Sequence, residues 1–296
     1  MRAYFSCLVG CAFLVPAACL TAQTQPQDAR AFVEKAVQNE LAKDADDHTR
    51  WLYYEDDRKP ENPVKQWVAD TSNGSLKRVL QIGGRRLSQS EQIDRINRFL
   101  GDTSAQASAR KSSRHDDEQA TEMLQLLPKA FIWTRIGEDG DTTLLHFKPD
   151  PNFRPPDIEA RVFAAMEGDM AVDTRQLRIA SLKGKMIQDV KILGGLLGEL
   201  NAGGTFDVER RETGDGIWQI TETHVHIDGH ALLFKTISEH EDDIKTHFKQ
   251  LPQTITMQQA RNELMQAPEG SIAAAHSPGA TAHAALPQSP EGTPRQ

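Results

Sequence analysis

The chain has 296 residues, of which 38% are apolar and 26% charged, values that fit one large globular domain or two small ones. Its formal net charge is −8, without basic clusters to offset the acidic balance. Nucleic acid and anionic membrane surfaces both require a positive patch on a protein. The composition therefore argues against either of them as the main partner.

The first 22 residues have the pattern of a secretory signal peptide. Arg2 supplies a positive start, residues 5–18 form an apolar stretch, and Ala22 offers a small residue at the cleavage position. We therefore predict removal of residues 1–22 and export to the periplasm or cell envelope. The alternative is an N-terminal helix buried in a protein core.

The apolar stretch of this leader is shorter than the about 20 residues that a membrane-spanning helix needs. No later segment of the sequence reaches that length. The mature chain is therefore predicted to contain no integral membrane span. Because Arg2 is the only charged residue in the leader, the mature chain carries a net charge of −9.

All three cysteines, Cys7, Cys11 and Cys19, lie in the predicted leader. A chain cleaved after Ala22 therefore has no disulfide, no catalytic thiol and no cysteine ligand for zinc. Cys19 also follows a segment similar to a lipoprotein signal, although Pro16 stands where leucine is usual. Lipidation at Cys19 is left open.

The first half of the chain predicts two well-marked helices. A linker leads into the first, over 23–46, where apolar residues between Phe32 and Leu41 recur at helical spacing. Ser88 and Glu91 have the spacing of a capping box at the start of the second. Gly101 lies just beyond its last apolar residue and is typical of a helix end.

The segment that follows is predicted to be partly irregular. Residues 102–115 are small and polar, which indicates a mobile loop. A further helix is predicted over 116–127, where Met123, Leu124 and Leu127 share one face. Pro128 is predicted to stop that helix.

Short apolar or alternating runs separated by turn residues predict an antiparallel sheet that curls, rather than a parallel α/β sheet. Asn73-Gly74 and Asp228-Gly229 are predicted hairpin turns, and Gly168 and Gly184 also stand between runs. The predicted strands cover residues 49–56, 64–70, 76–82, 131–136, 143–148, 160–166, 170–173, 177–182, 185–193, 205–211, 217–227 and 231–237.

The sequence between 30 and 250 contains no fixed-period repeat and no clear linker, so we predict a single domain over 23–250. Residues 251–296 are predicted to form a C-terminal helix at 256–265 followed by a disordered tail. The tail is rich in Ala, Pro, Ser and Gly and cannot bury enough apolar surface to offset its ordering entropy.

Histidines form the most suggestive cluster of polar residues. On a strand, His224 and His226 project from one face about 7 Å apart, Asp228 could join them, and His230 opens the return strand. Three imidazoles and a carboxylate would suit zinc. The alternative is an ordinary half-exposed strand whose histidines face water, because spacing by two residues is not itself a zinc signature.

Other motifs point away from catalysis. The glycine-rich run 194–204 lacks the Gly-Lys-Ser/Thr of a phosphate loop and the context of a dinucleotide fold, so we interpret it as a flexible connection. The sequence has no Gly-x-Ser-x-Gly elbow, and its paired acids are adjacent, so their side chains diverge. We therefore predict no enzymatic activity and no cofactor.

The order of elements over about 30–240 resembles one protein group. A strand rich in aromatics leads to a hairpin, then to Gly83-Gly84-Arg85-Arg86-Leu87-Ser88 and a helix, and glycine-separated strands end in Gly216-Ile217-Trp218-Gln219-Ile220. This is similar to the periplasmic half-barrel superfamily that contains the outer-membrane lipoprotein carrier and the lipid-sensing envelope-stress regulator. The helical region at 88–128 departs from the simplest carriers.

The resemblance implies an α+β fold in which a curved antiparallel sheet, a half-barrel, wraps around a few helices. It also implies a cavity that takes acyl chains and no catalytic residues. The leading hypothesis is therefore a non-catalytic periplasmic carrier or sensor that binds a lipid or lipidated protein. Two alternatives stay open: a metal-binding protein or metal-dependent enzyme using the histidine cluster, and a structural envelope protein that holds partners.

Overall fold

The computed structural model describes residues 26–192, 198–231 and 235–269, with side chains for 28–192, 198–229 and 240–269. The predicted signal peptide, the Cys19 region and the tail beyond residue 269 lie outside these ranges. The helices are α1 Pro26–Asp46, α2 Gln89–Gly101, α3 Thr103–Ala130, α4 Ile158–Phe163 and α5 Met257–Gln266. None of the described helices is long and apolar enough to cross a membrane.

The strands form one antiparallel sheet that is not closed. Along the sheet the order is β4-β3-β2-β1-β13-β12-β11-β8-β7-β6-β5, with β10 paired to β12 and β9 to β10. The strands are β1 Arg50–Asp57, β2 Val64–Thr71, β3 Gly74–Ile82, β4 Arg85–Arg86, β5 Phe131–Asp139, β6 Thr142–Pro149, β7 Met166–Asp173, β8 Arg178–Met186, β9 Val190–Ile192, β10 Gly198–Leu200, β11 Thr205–Gly214, β12 Ile217–Ala231 and β13 Lys235–Leu251.

Two apolar cores lie on opposite faces of this sheet. The larger, the α1 core, packs Val33 and Ala36 of α1 against Phe131, Phe147 and neighbouring side chains of β5 to β8. The smaller, the α5 core, packs α2 and α5 against β1 to β3, with Ile96 and Leu264 fully buried.

The strand register assigns the two cores to their faces, because directly paired residues of neighbouring strands project to the same side. The side that carries the α1 core runs through the paired residues Leu145, Met170, Leu182, Val208, Thr223, Asp243 and Asp57. Leu52 and Tyr54 have the opposite parity from Asp57 in β1 and belong to the α5 core. We call the two sides the α1 face and the α5 face.

A buried ion network fixes α1 to the sheet. Glu40 is fully buried, and its carboxylate lies 2.8 Å from the Arg178 guanidinium and 2.6 Å from that of Arg210. It also accepts a hydrogen bond from the Ile179 backbone N–H at 2.6 Å. A buried carboxylate is tolerated when it is paired and hydrogen-bonded in this way.

Helix α3 connects the two ends of the sheet. Near its start, the Arg110 guanidinium donates to the Asn73 carbonyl in the β2–β3 turn at 3.3 Å. Near its end, α3 packs against α1 and leads directly into β5. Most of the side chains between these contacts are exposed, as expected of a helix that is polar on all sides.

Many predicted elements are confirmed. The first helix, the hairpin at 64–82 and the hairpin at 131–149 all form. Ser88 and Glu91 make both bonds of the capping box, and the C-terminal helix begins at a second capping box between Thr256 and Gln259. The prediction of a mainly antiparallel sheet is correct.

The predicted loop at 102–115 is wrong, because α3 begins at Thr103 and runs to Ala130. Asp102 caps it by accepting from the Ala105 N–H at 2.8 Å, and the segment is rich in good helix formers such as Ala, Gln, Arg and Lys. Pro128 does not stop the helix but lies in its last turn. The segment lacks an apolar stripe because solvent surrounds it.

The predicted strand at 160–166 is also wrong, since Asp157 caps the short helix α4 there. Gly168 and Gly184 do not form turns but lie inside β7 and β8, directly opposite each other. A Cβ on Gly168 would lie 1.9 Å from the Lys183 carbonyl oxygen, and one on Gly184 would lie 2.4 Å from the Phe206 ring. These glycines therefore provide space between strands.

The final hairpin is longer than predicted. Strand β12 continues through Asp228-Gly229 to Ala231, so these residues do not form the turn. Gly229 pairs with Ile237 on one side and with Leu200 on the other, which a turn residue cannot do. Strand β13 extends to Leu251 through a charged segment that lacked an apolar pattern.

Candidate functional site

The predicted histidine cluster lies on the α5 face of the long β12–β13 hairpin. Antiparallel register places His224 directly opposite Asp242 and His226 directly opposite His240. Because side chains alternate along a strand, these four project to the same side, and Asp228 joins them. The α2 and α5 helices cover this face only at β1 to β3, so the cluster is partly exposed to solvent.

Two imidazoles share one carboxylate in this cluster. His224 Nδ1 lies 2.7 Å from Asp242 Oδ1, and His226 Nε2 lies 3.1 Å from Asp242 Oδ2. Burial alone would lower the pKa of His224, but Asp242, Asp207 and Glu222 outweigh it and raise that pKa. Both imidazoles lower the pKa of Asp242 against the opposing effect of burial. Asp242 is therefore a carboxylate at neutral pH.

A second imidazole–carboxylate pair lies beside the first. His240 Nε2 lies 3.2 Å from Asp228 Oδ1. The rings of His226 and His240 are 5.4 Å apart between centroids, at an angle of 69° between their planes. The two pairs therefore form a continuous group of imidazoles and carboxylates across the hairpin.

The structure brings together part of the predicted set and adds two residues to it. His224, His226 and Asp228 share a face as predicted, whereas the His230 side chain lies outside the described ones. His240 and Asp242 were missed because the segment after 239 had no predicted strand. Their spacing by two residues was the signal that could have found them. Among the described residues, no group of three such side chains is arranged to hold a metal ion as it stands.

Charged side chains continue from this cluster along the α5 face. Lys183 lies 3.0 Å from carboxylate oxygens of both Asp207 and Glu209. Arg211 lies 3.2 Å from Glu209 and 3.0 Å from Glu222. All of these pairs except Arg211–Glu209, which lies within β11, join neighbouring strands, and exposed ion pairs of this kind contribute little stability individually.

Between the two cores, the α1 face carries aromatic side chains, in contrast to the charged side chains of the α5 face. Trp51, Tyr53 and Phe248 form an aromatic group on this face, with the Tyr53 and Phe248 rings stacked at 5.5 Å and the Trp51 and Phe248 rings edge-on at 6.0 Å. Val68 pairs with Tyr53 and is fully buried. None of these four side chains belongs to the α1 core or the α5 core.

Charged groups lie next to this aromatic group. Lys245 Nζ lies 2.9 Å from Asp243 Oδ2, 3.9 Å from Glu55 Oε1 and 6.0 Å from the Tyr53 ring centre. Burial raises the pKa of Tyr53 well above its usual value, and Asp70, Glu55 and Asp243 add to the effect. Burial also raises the pKa of Asp243, whose Oδ1 has no hydrogen-bond partner among the described residues.

A separate groove of about 590 Å³ lies between α3 and α4. Six of the ten residues that line it are polar or charged, among them His115, Glu118, Glu122 and Glu159, and Met123 and Leu126 are its larger apolar members.

Comparison of the chain with known protein families, with curated proteins and with solved structures gives no match.

Proposed function

We propose that this protein is a non-catalytic carrier or sensor of the periplasm or cell envelope that binds a lipid or lipidated protein on the α1 face of its sheet. In this proposal the sheet is a half-barrel that curves around α1 and α3, while α2 and α5 support its other face. The observation that carries the proposal is the aromatic group of Trp51, Tyr53 and Phe248, which lies outside both cores.

The path of α3 supports the curvature. Nine inter-strand steps separate β3 from β5, which corresponds to about 43 Å along the sheet. Helix α3 spans the distance between its contact with Gly74 and the start of β5 with the 21 residues from Arg110 to Ala130, about 30 Å of helix. Even with the length of the Arg110 side chain added, the straight distance that α3 spans is shorter than the path across the strands from β3 to β5. This difference favours a bent sheet.

The chemistry of the α1 face suits an amphipathic ligand. Aromatic and aliphatic side chains could cover a hydrocarbon chain, whose burial is worth about 0.8 kcal/mol per CH₂ group. Lys245, Asp243 and Glu55 lie beside them and could contact the polar end of the same molecule. An aromatic group next to a few polar groups is a common arrangement in binding sites.

The test is lipid binding by the mature protein and by a variant of the aromatic group. Organic extracts of the purified protein would be analysed by mass spectrometry, and uptake of a fluorescent fatty acid would be titrated. We expect bound lipid in the extracts and saturable uptake. Phe248→Ser should weaken uptake at least about tenfold, since it removes a large apolar contact surface.

The matched control is Ile136→Ser, which removes an apolar side chain that is 56% exposed on β5 and should leave uptake unchanged. Circular dichroism would check that both variants keep the fold. Extracts without lipid, together with no uptake by the unmodified protein, would contradict the proposal. Equal affinities of Phe248→Ser and the unmodified protein would exclude the aromatic group as the site.

A further inference from the structure

We propose that the polar end of the bound ligand is a primary ammonium group, which donates a hydrogen bond to Asp243 on the α1 face. This inference rests on the proposed function, because it names the chemistry of the molecule that the aromatic group would hold. The ligand is then an amphipathic amine, such as a lipid with an ammonium headgroup, rather than an anionic lipid. Its hydrocarbon chain contacts Tyr53 and Phe248.

Asp243 is a buried carboxylate with one oxygen that no described residue contacts. The residue is 6% exposed, its Oδ2 lies 2.9 Å from Lys245 Nζ, and its Oδ1 has no hydrogen-bond partner among the described residues. A buried carboxylate oxygen without a donor is unfavourable, because it has lost its hydration without a replacement. A ligand N–H group at this oxygen would remove that cost, so Asp243 is suited to a donor and not to another acceptor.

Asp243 lies close enough to the aromatic group for one molecule to contact both. Lys245 Nζ lies between them, 2.9 Å from Asp243 Oδ2 and 6.0 Å from the Tyr53 ring centre. The Lys245 side chain is 25% exposed, so a ligand can approach the ion pair from this side. A hydrocarbon chain packed on Tyr53 and Phe248 can therefore place its polar end beside Asp243.

Carboxylates outnumber ammonium groups on this part of the α1 face. Strand register places five carboxylates and two ammonium groups on it among the described side chains of β1, β2, β3 and β13, namely Glu55, Asp57, Asp70, Glu241 and Asp243 against Lys77 and Lys245. A further positive charge is attracted to such a surface, whereas a carboxylate or phosphate headgroup is repelled. The charge balance thus favours an ammonium headgroup.

The pKa shifts of these groups agree with an excess of negative charge. Burial alone would lower the pKa of Lys245, but Asp243 and Glu55 outweigh it and raise that pKa. Burial raises the pKa of Asp243, and Lys245 opposes this effect while Glu55 adds to it. The single ammonium group of Lys245 therefore does not fully compensate for the carboxylates around it. A second ammonium group, from the ligand, would improve the balance.

The experiment is a calorimetric titration of the untagged mature protein with four probes that share a decyl chain, each below its micelle concentration. Decylamine carries a positive charge and N–H donors, decyltrimethylammonium a positive charge without a donor, decanol a donor without charge, and decanoate a negative charge. We expect decylamine to bind at least about tenfold more tightly than decanoate, with the other two between them. Decanoate should still bind through its chain, in line with the expected uptake of a fatty acid.

Two variants should shift this preference in opposite directions. Asp243→Asn removes the charge at nearly constant size and should reduce the preference for decylamine over decanoate at least about fivefold. Lys245→Met removes the ammonium group that competes with the ligand and should increase the preference. Asp169→Asn is the matched control, because it removes the same charge from a side chain that is 63% exposed on the α5 face. It should leave the preference unchanged.

The outcomes separate this inference from the proposed function. Decanoate bound as tightly as decylamine, or an unchanged preference in Asp243→Asn, would overturn the ammonium headgroup while the lipid-binding surface stands. Equal affinities for decylamine and decyltrimethylammonium would overturn the hydrogen bond to Asp243. If none of the four probes binds saturably, the proposed function itself is contradicted.

Discussion

Glu40 is a buried charged residue whose partners constrain the position of α1. It is fully buried in α1 and pairs with two arginines from different strands, Arg178 of β8 and Arg210 of β11. A buried pair of charges gives little net stability relative to apolar residues, yet removing one partner leaves the other charge uncompensated. Glu40 therefore specifies where α1 lies on the sheet.

Glu40→Gln should lower the free energy of unfolding by about 3 to 5 kcal/mol, because two buried guanidinium groups would then face a neutral side chain. Urea denaturation measured by circular dichroism would test this value. Glu34→Gln is the matched control, since Glu34 lies on the exposed side of the same helix. Similar stabilities of the two variants would show that the buried network does not hold α1.

At the residue scale, the sequence predicted half of the histidine cluster. Alternation along one strand placed His224 and His226 on the same face, and that prediction holds. It could not identify Asp242 and His240 as their partners, because strand register depends on contacts across the hairpin that local spacing does not encode. Glu40 was missed for a related reason: a charged residue on a helix is usually exposed.

At the scale of elements, a buried arginine adds to the apolar contacts that hold the C-terminal helix α5. Arg78 of β3 donates from Nη1 to the carbonyl oxygens of Leu264 and Ala267, both at 2.8 Å, and pairs with Glu269 at 2.8 Å. It also donates from Nε to Gln92 of α2 at 2.8 Å. Burial lowers the pKa of Arg78, and Glu269 partly opposes the effect. One side chain thus joins both helices of the α5 face.

Arg78→Met should destabilise the protein by about 3 kcal/mol or more, since it leaves the Ala267 carbonyl and the Gln92 amide oxygen without this donor and removes one of the two donors to the Leu264 carbonyl. Amide hydrogen exchange of residues 257–266 should become faster than that of the strands. Arg86→Met changes an exposed arginine of β4 in the same way and serves as the control. Unchanged exchange in α5 would contradict the proposed role of Arg78.

Elements with local signals were predicted well, and elements without them were not. The capping box at Ser88 and the turn at Asn73-Gly74 depend on neighbouring residues only, and both appear in the structure. The first half of α3 has no apolar stripe because its contacts, such as those of Gln106 and Arg110, are polar, so periodicity could not reveal it. The second half of β13 is a charged strand, which the alternation of apolar residues likewise could not show.

At the scale of the whole molecule, one continuous sheet carries two cores on opposite faces. Strands β11 to β13 belong to neither core alone but connect the two through uninterrupted backbone pairing. Losing either core would expose strands that the other depends on. This arrangement favours a single folding unit that includes α5, whose Ala260 and Leu264 are buried in the α5 core.

We therefore expect both cores to unfold in one transition. Native-state hydrogen exchange with increasing urea should give the same free energy of opening for strand amides around Phe147 in the α1 core and Leu76 in the α5 core. Amides of α3 between residues 107 and 122 should open at a lower free energy, because these residues make few contacts. Separate free energies for the two cores would contradict a single unit.

The sequence predicted a mainly antiparallel sheet with helices but not which helices lie on which face of it. Many short strands with turns between them indicated an antiparallel sheet with helices, as found. It did not predict that α2 and α5 lie on the face opposite α1. The face that a helix covers is decided by the connection that carries it around the sheet edge, and no local pattern records that path.

The two edge strands of the sheet, β4 and β5, also affect whether copies of the protein associate at high concentration. One edge strand, β4, is two residues long and carries exposed Arg85 and Arg86, while the register of the other, β5, is interrupted between Arg135 and Gly137. Short length, positive charge and a bulge all discourage an incoming strand from extending the ladder. A sheet of this width with unprotected edge strands would be a template for self-polymerisation. The features of β4 and β5 disfavour that pairing.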